Sequence, residues 1–487
     1  MSHTADPPST QTRSQAHDAG SQAGRDVYFT FEGRKLAGRA GESIAKALFR
    51  NGIRVLSYSV KYGNPRGIHC GHGRCIMCHV EVDGVTGVKS CITPLAPGMR
   101  IRRQQYKPFY GSFLTWVMRR VPFPAGFYYR MFTRPRLVRE AFIGTIRRVA
   151  GAGRIDDRPQ APRDLTPPPA ILSRLAGTYD VVVVGAGVSG MTAALAASDA
   201  GAGVLLVDEY SAPGGHMIGR MADAGLEAAR NELIRHTAGA DLESAAGLTA
   251  QGFYEPGRLL VGRESKGGVT GAGGGGMKSI SAGAFIFATG AQDLIPLFEN
   301  NDLPGIFGAR GLRLFVERDD LVPGRNAVVY GEGPGVADTV AMLSSRGVET
   351  EAVVNPGAGP PAGIPAGIRL VQGAKLVRAE GREWIARAVF KTSGGDCVTL
   401  PCDLLCVAGP GQPSFELAQH AGFRFELRTP GVPGGGTASK VMMPASDTIE
   451  DDGGPRRYLV GEASGRFDWK SMTEHAAAAG AAAARRG

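Results

Sequence analysis

Four cysteines raise the first question of chemistry. Cys70, Cys75 and Cys78 lie in the tight run CGHGRCIMC, and Cys91 follows after a further twelve residues. A Cys-x4-Cys-x2-Cys run followed by a more distant cysteine is the spacing of a plant-type [2Fe–2S] ferredoxin, although the last gap is shorter than usual. Four thiolates must converge on two irons, and this loop supplies three of them. Gly71 and Gly73 let backbone N–H groups turn toward the sulfides and help hold a negative cluster. Two other metal centres compete. A zinc site is normally built from two paired knuckles, and here only Cys75 and Cys78 form a pair. A Rieske centre needs two histidines; His72 has the right spacing from Cys70, but the second half is Cys-x2-Cys. The four cysteines are therefore expected to hold a [2Fe–2S] cluster, with zinc the less supported reading. Cys397, Cys402 and Cys406 lack a fourth thiolate and lie in or beside the apolar run CDLLCVAG, where buried thiols are ordinary.

The second chemistry is carried by glycines. Gly185-x-Gly187-x-x-Gly190 follows the apolar run YDVVVV and opens a helical stretch, the context that a dinucleotide fingerprint requires. Gly185 makes the turn, Gly187 lets a pyrophosphate approach, and Gly190 lets the helix close onto the strand. Asp208 ends the next strand, about 20 residues on, where an acid can accept from a ribose hydroxyl; Glu209 is the alternate. Gly215 continues the same site in DEYSAPGGH. FIFATGA places Thr289 and Gly290 at a strand-ending turn of the kind that leads out of an FAD domain. YLVGEASG places Gly461 and Glu462 at a closing strand, where Asp is the usual acid. A second, weaker unit begins at Asn326: Gly331-x-Gly333 is present, Val336 takes the third glycine position, and Asn355 stands where an acid or arginine would choose NAD or NADP.

These residues must be positioned by ordinary elements. VYFTF, the turn Glu32-Gly33 and the return Lys35–Ala37 read as a hairpin, and ESIAKALFRN reads as a helix stopped by Gly52. Hairpin, helix and cysteine loop in that order predict a β-grasp domain. The fold class is α/β: an N-terminal β-grasp [2Fe–2S] ferredoxin-like domain, then a two-dinucleotide-binding, Rossmann-like FAD/NAD(P) fold. The expected division is a disordered tail at 1–25, the ferredoxin-like domain at 26–100, and a basic aromatic connecting segment at 101–177. The FAD or dinucleotide domain takes 178–299 and 411–487, and a second NAD(P)-like domain takes 300–410. The Gly-rich run 267–276 is expected to be a loose hairpin tip.

Composition narrows the class. Glycine supplies 71 of 487 residues, about twice the usual 7%, without the period of collagen. The net charge of +10 is local: residues 101–154 carry twelve Arg or Lys against one acid, Glu140, interleaved with eleven aromatic residues. No nucleic-acid module accompanies that charge, and no apolar run reaches the roughly 18 residues of a membrane span. The polar first 25 residues lack the apolar region of a secretory signal, so a cytoplasmic protein is expected.

With these residues in hand the chain resembles the α subunits of multimeric amine-oxidising flavoenzymes, a group that includes heterotetrameric sarcosine oxidase, hydrogen cyanide synthase and the dye-linked proline, opine and hydroxyproline dehydrogenases. The resemblance runs over about residues 27–487 and rests on KYGNPRGIHCGHGRC, VPFPAGFYYRMFTRPR, VVVVGAGVSG…DEYSAPGGH, FATGAQDLIPLFENNDLPGIF and VGEASG. It implies an oxidoreductase subunit acting on CH–NH or CH–NH2 donors. Substrate would be oxidised on the FAD of a glycine-oxidase-like β subunit, with further small subunits in some complexes. Electrons would pass by a flavin, FMN at the subunit interface in several members, to the [2Fe–2S] cluster. The first fingerprint would hold FAD, or NAD or ATP in its place. Three departures accompany the resemblance: the folate-binding half of sarcosine-oxidase-type subunits is not in this chain, all four cluster ligands are present where many relatives lack them, and a C-terminal cysteine cluster domain is absent. No amine-binding acid/base set is evident, in keeping with substrate chemistry on a partner. Three rivals remain: a self-contained NAD(P)H-dependent FAD/[2Fe–2S] reductase, a structural nucleotide-binding scaffold, and docking on a membrane surface through residues 101–154, which arginines and aromatics of an ordinary subunit interface explain as well.

Overall fold

The computed structural model describes residues 25–59, 63–104, 170–210, 212–262, 276–428 except positions 358, 360, 362 and 410, then 441–450, 453–485 and part of 135–143. Nearly all of the tail 1–25, most of the basic aromatic segment and the tip 267–275 lie outside them. The chain divides into two compact units, one of Met1–Ile68 with Ile76–Ile155, the other of His69–Cys75 with Asp156–Gly487.

In the first unit, strands β1 (Asp26–Phe31) and β2 (Arg34–Arg39) form an antiparallel hairpin whose turn uses Glu32 and Gly33, both at positive φ. Alternation buries Val27, Phe29 and Phe31 on one face of β1, the period-2 pattern of a half-buried strand. Helix α1 (Ile44–Arg50) is capped by Ser43, whose hydroxyl accepts from the Lys46 N–H, and it buries Ile44, Ala45, Ala47, Leu48 and Phe49. Strands β3 (His79–Val82), β4 (Val85–Lys89) and β5 (Arg100–Arg103) complete a five-stranded sheet of order β2-β1-β5-β3-β4, in which β1 and β5 run parallel. A hairpin, a covering helix and a parallel central pair make a β-grasp.

The second unit contains two large sheets, the first mixed with a parallel centre and the second parallel throughout. Strand β6 (Thr178–Val184) leads into helix α2 (Val188–Asp199) and returns as β7 (Val204–Asp208), after which comes helix α3 (Ala224–Gly239). Its valines are buried on both faces. Val182 and Val184 pack with Phe253, Phe285 and Phe287, while Val181 and Val183 pack with Met191, Ala194 and Ala476. Burial on both sides explains an uninterrupted VVVV run where a half-exposed strand would alternate. The long strand β11 (Met277–Phe287) pairs antiparallel with β10 (Arg258–Gly262), Gly262 facing Met277, and through Ala284–Phe287 runs parallel to both β6 and the late strand β20 (Arg456–Leu459). β8 (Glu243–Ala246) extends the sheet beside β7, and β9 (Thr249–Tyr254) beside β10.

Helix α6 (Trp469–Ala484) lies along α2 at backbone distance: a Cβ built at Gly480 would stand 2.2 Å from the Ala193 carbonyl oxygen. Small residues in AAAAGAAAA permit that approach. Arg456 closes the end of this helix by donating to the Ala482 and Ala483 carbonyls, a cation at the negative end of the helix dipole.

The second parallel sheet has the order β12-β19-β13-β14-β15, formed by β12 (Ile306–Gly308), β19 (Leu404–Ala408), β13 (Asn326–Gly331), β14 (Glu349–Asn355) and β15 (Arg369–Gln372). Helix α4 (Ala309–Arg313) follows β12, helix α5 (Pro334–Ser345) connects β13 to β14, and a three-stranded meander of β16 (Ala374–Gly381), β17 (Ile385–Thr392) and β18 (Cys397–Pro401) packs against this sheet. Cys402 and Cys406 are buried, whereas Cys397 opens β18 and is exposed. Its alternation faces it to solvent, so the buried-thiol expectation holds for two of the three. Among the described residues no helix is long and apolar enough to cross a membrane.

Candidate functional site

The fingerprint turn sits at the carboxyl ends of β6, β11 and β20, where α/β sheets open a crevice for ligands. Two of its glycines are sterically compelled. Gly185 has φ +108°, and a Cβ there would stand 2.3 Å from the Ala288 carbonyl oxygen. A Cβ at Gly190 would fall 1.7 Å from the Gly185 carbonyl oxygen, so α2 closes on its strand only without a side chain. Gly187 is different. The nearest atom to a Cβ built there is Gly215 Cα at 4.0 Å, which leaves an open approach above it.

Asp208 braces this turn. Its Oδ2 accepts from the Ala186 N–H and its Oδ1 from the Tyr210 N–H at 2.7 Å. Burial pushes its carboxyl up to about 6; the two N–H donors oppose that shift, and neighbouring Glu209 adds to it. Each oxygen keeps a lone pair for a sugar hydroxyl. Glu209 lies 3.6 Å from Arg74. Thr289 Oγ1 donates to the Ser414 carbonyl at 3.0 Å, and Gly290, at φ +68°, accepts from the Ser414 N–H. Gly461, at φ +65°, packs on Ser189, where a Cβ would meet Oγ at 2.2 Å.

Glu462 is held in a buried ionic network that sequence reasoning missed. Its Oε1 accepts from Arg310 Nη2 at 2.6 Å, and its Oε2 stands 3.5 Å from His216 Nδ1. Arg310 also lies 3.4 Å from Asp293, which accepts from the Gly311 N–H at 2.9 Å. Burial alone would raise the Glu462 carboxyl, but Arg310 and His216 outweigh it and hold the group below the usual carboxylate range. His216 is pushed below the ordinary histidine value, first by burial and then by Arg310 and Arg313, against Glu462 and Asp293. The one clue in the sequence was the Glu in place of Asp at position 462.

The cysteine loop is divided. Cys70 and Cys75 belong to the second unit, where the Cys75 N–H is directed at Cys70 Sγ at 3.4 Å. Gly71 and Gly73 both take positive φ. Within that unit Arg318 donates to the Gly71 carbonyl at 2.8 Å, and a Cβ on Gly311 would stand 2.9 Å from the His69 and Cys70 carbonyl oxygens. Cys78 and Cys91 belong to the first unit and are buried; the Cys78 carbonyl accepts from the Ser90 hydroxyl at 2.7 Å. Among the described residues no three His, Cys, Asp or Glu side chains stand together as a ready metal cage. The fit to an iron–sulfur cluster rests on the donor set, four thiols with an amide aimed at a sulfur, and on a loop backbone that two glycines make possible.

In the second fold the acid position is closed. Asn355 is 3% exposed; its amide donates to the Gly359 carbonyl, and its Oδ1 accepts from the Gly357 N–H at 2.8 Å. A Cβ at Gly331 would fall 1.6 Å from the Ala408 carbonyl oxygen, while Glu332 puts a carboxylate in the loop, its pKa raised by burial.

Comparison with known proteins adds family information. Residues 24–106 match the family model of a 2Fe-2S iron-sulfur cluster binding domain, and residues 180–255 match that of an FAD dependent oxidoreductase. The chain is 29% identical to sarcosine oxidase subunit alpha of Rhizobium meliloti, over 81% of this chain and 40% of that protein. It is 32% identical to hydrogen cyanide synthase subunit HcnA of Pseudomonas aeruginosa, over 18% of this chain and 84% of that one. The chain thus spans about two fifths of the sarcosine oxidase subunit it matches. In fold it is similar to L-proline dehydrogenase from P. horikoshii, with a TM-score of 0.62, 20% identity, and coverage of 94% of this chain and 73% of that one.

Proposed function

We propose that this chain, which belongs to the family of amine- and amino-acid-oxidising flavoenzyme α subunits that includes sarcosine oxidase subunit alpha, is the electron-transferring subunit of a heteromeric dehydrogenase or oxidase, with the C–N bond of an amine or amino acid oxidised on an FAD-containing partner. Its cofactors are a [2Fe–2S] cluster and FAD. The observation that carries the reading is the pairing, on one chain, of a four-thiol iron–sulfur domain with a dinucleotide crevice open at Gly187, while the second fold has its cofactor-choosing position closed by Asn355. Cys70, Cys75, Cys78 and Cys91 would hold the cluster. Gly185, Gly187, Gly190 and Asp208 would seat the dinucleotide, with Gly215, Thr289, Gly290, Gly461 and Glu462 around it.

When bound, flavin exchanges electron pairs for single electrons, and a [2Fe–2S] cluster carries one at a time. The chain's own work is to seat both groups and keep them dry. The Cys75 N–H supports a thiolate at Cys70, and Arg310 holds Glu462 ionised within a buried wall.

The test uses the full chain alone and with its partner. The chain alone should contain iron and acid-labile sulfide, show a reduced-cluster EPR signal with dithionite, and reduce no dye with any amine. Cys78→Ser should lose nearly all of the iron while the partner still oxidises amine when a dye takes electrons directly. Amine turnover by the isolated chain would overturn the reading, and anaerobic bleaching of its flavin by NADH would favour a self-contained reductase.

A further inference from the structure

The turn Gly214–Met217 places an ionisable side chain at the mouth of the nucleotide crevice. Gly214 and Gly215 take φ of +118° and +61°, conformations that L side chains avoid. They bring Gly215 onto the fingerprint so closely that a Cβ there would stand 3.1 Å from Gly187 Cα. Gly187 is the glycine whose missing side chain admits a pyrophosphate. His216 is the next residue. Its Nδ1 stands 3.5 Å from Glu462 Oε2, an oxygen that is buried and makes no hydrogen bond. No described residue bonds its Nε2, and 28% of the side chain is open to solvent.

We propose that His216 is a ligand-facing residue of the first dinucleotide site, steadied at Nδ1 by Glu462 and presenting Nε2 to the pyrophosphate of the bound nucleotide. The arrangement is that of an imidazole beside a carboxylate, which attracts the ring once it is charged and leaves the far nitrogen for the ligand. Arg310 and Asp293 act as positioning residues, because they hold Glu462 and the start of α4 in place.

A proton follows from the geometry. The charged groups facing His216 are Glu462 from the Gly461–Ser464 turn, Arg310 and Arg313 from α4, and Asp293. Burial, with the two arginines, keeps the imidazole neutral near pH 7 in the unliganded chain. A diphosphate brought to Nε2 favours the imidazolium and raises its pKa. Binding therefore takes up protons. Affinity rises as pH falls, fully so below the pKa of the unliganded chain, and the gain is lost as pH rises through the pKa of the complex.

The inference rests on the first fold holding a dinucleotide and not on where electrons travel, so its failure and that of the electron-transfer reading are separable. The experiment is calorimetric titration of the full chain, freed of nucleotide, with FAD, ADP and adenosine in buffers of different ionisation heat. The wild type should take up a fraction of a proton with FAD and ADP and none with adenosine. Its affinity for the two phosphorylated ligands should gain at most about tenfold per pH unit on acidification. His216→Asn keeps a donor for Glu462 but does not titrate, and should bind with no proton uptake. His216→Gln should recover part of the affinity with a flat pH profile. Equal uptake with FAD and adenosine in the wild type, or unchanged uptake in His216→Asn, would overturn the assignment. The wild-type comparison of FAD, whose pyrophosphate does not titrate near neutrality, with adenosine decides it alone if the variants do not fold.

Discussion

The two βαβ units of the second compact unit share one frame and part at three positions. In the first, the middle glycine, Gly187, has φ −73° and caps α2 from an extended conformation. In the second, Gly333 has φ +85°. The third position is Gly190 in one, under a carbonyl that leaves no room for a Cβ, and Val336 in the other, fully buried. The strand-end polar residue is Asp208, which braces the fingerprint turn, or Asn355, spent on its own turn. A Rossmann topology is thus retained by packing alone, whereas a ligand site needs backbone approach and an acid that keeps lone pairs free beyond its own turn. Fold and site separate.

Breaking the first unit should have the largest effect. Gly190→Val forces a side chain into the Gly185 carbonyl, and a loss of about 3 kcal/mol or more is expected, seen as a fall in unfolding midpoint together with loss of bound FAD. A smaller effect is expected from making the second unit resemble the first. Asn355→Asp removes the donor to Gly359 and buries a charge, costing about 1–3 kcal/mol in denaturant titrations. It should create no NADH binding, since the position is enclosed; NADH-dependent fluorescence gained by this variant would break the contrast. The smallest effect sharpens it. Gly335, inside α5, has open space around a built Cβ, so Gly335→Ala should stabilise by about 0.5–1 kcal/mol. The same change at Gly190 should be strongly unfavourable.

Much of this was legible in the sequence because it is local. The fingerprint, the strands VVVV and VLLVD, the helix within ESIAKALFRN and the Gly33 turn are set by residues within a few positions of one another. The second βαβ unit, which begins at Asn326, was legible for the same reason. The buried network of His216, Asp293, Arg310 and Glu462 was not, because its members are spread over nearly 250 residues and each alone reads as an ordinary polar residue. The burial of Asn355 was also hidden: the sequence marks the missing acid but not the turn that encloses its replacement. The β-grasp order was visible in hairpin, helix and cysteine loop, while the docking of residues 69–71 on Gly311 depends on a glycine more than two hundred positions away.

The central strand β11 is flanked by β6 on one side and by β20 on the other, and the alanine-rich helix α6 then lies on α2. During synthesis, the fingerprint leaves the ribosome with one wall of its crevice missing and α2 with its small-residue face exposed, and both stay so while roughly 270 further residues are made. A nucleotide bound before β20 and α6 dock would lack the wall formed by Gly461 and Glu462, and the capture of those two elements is a long-range closure of the kind that folds slowly.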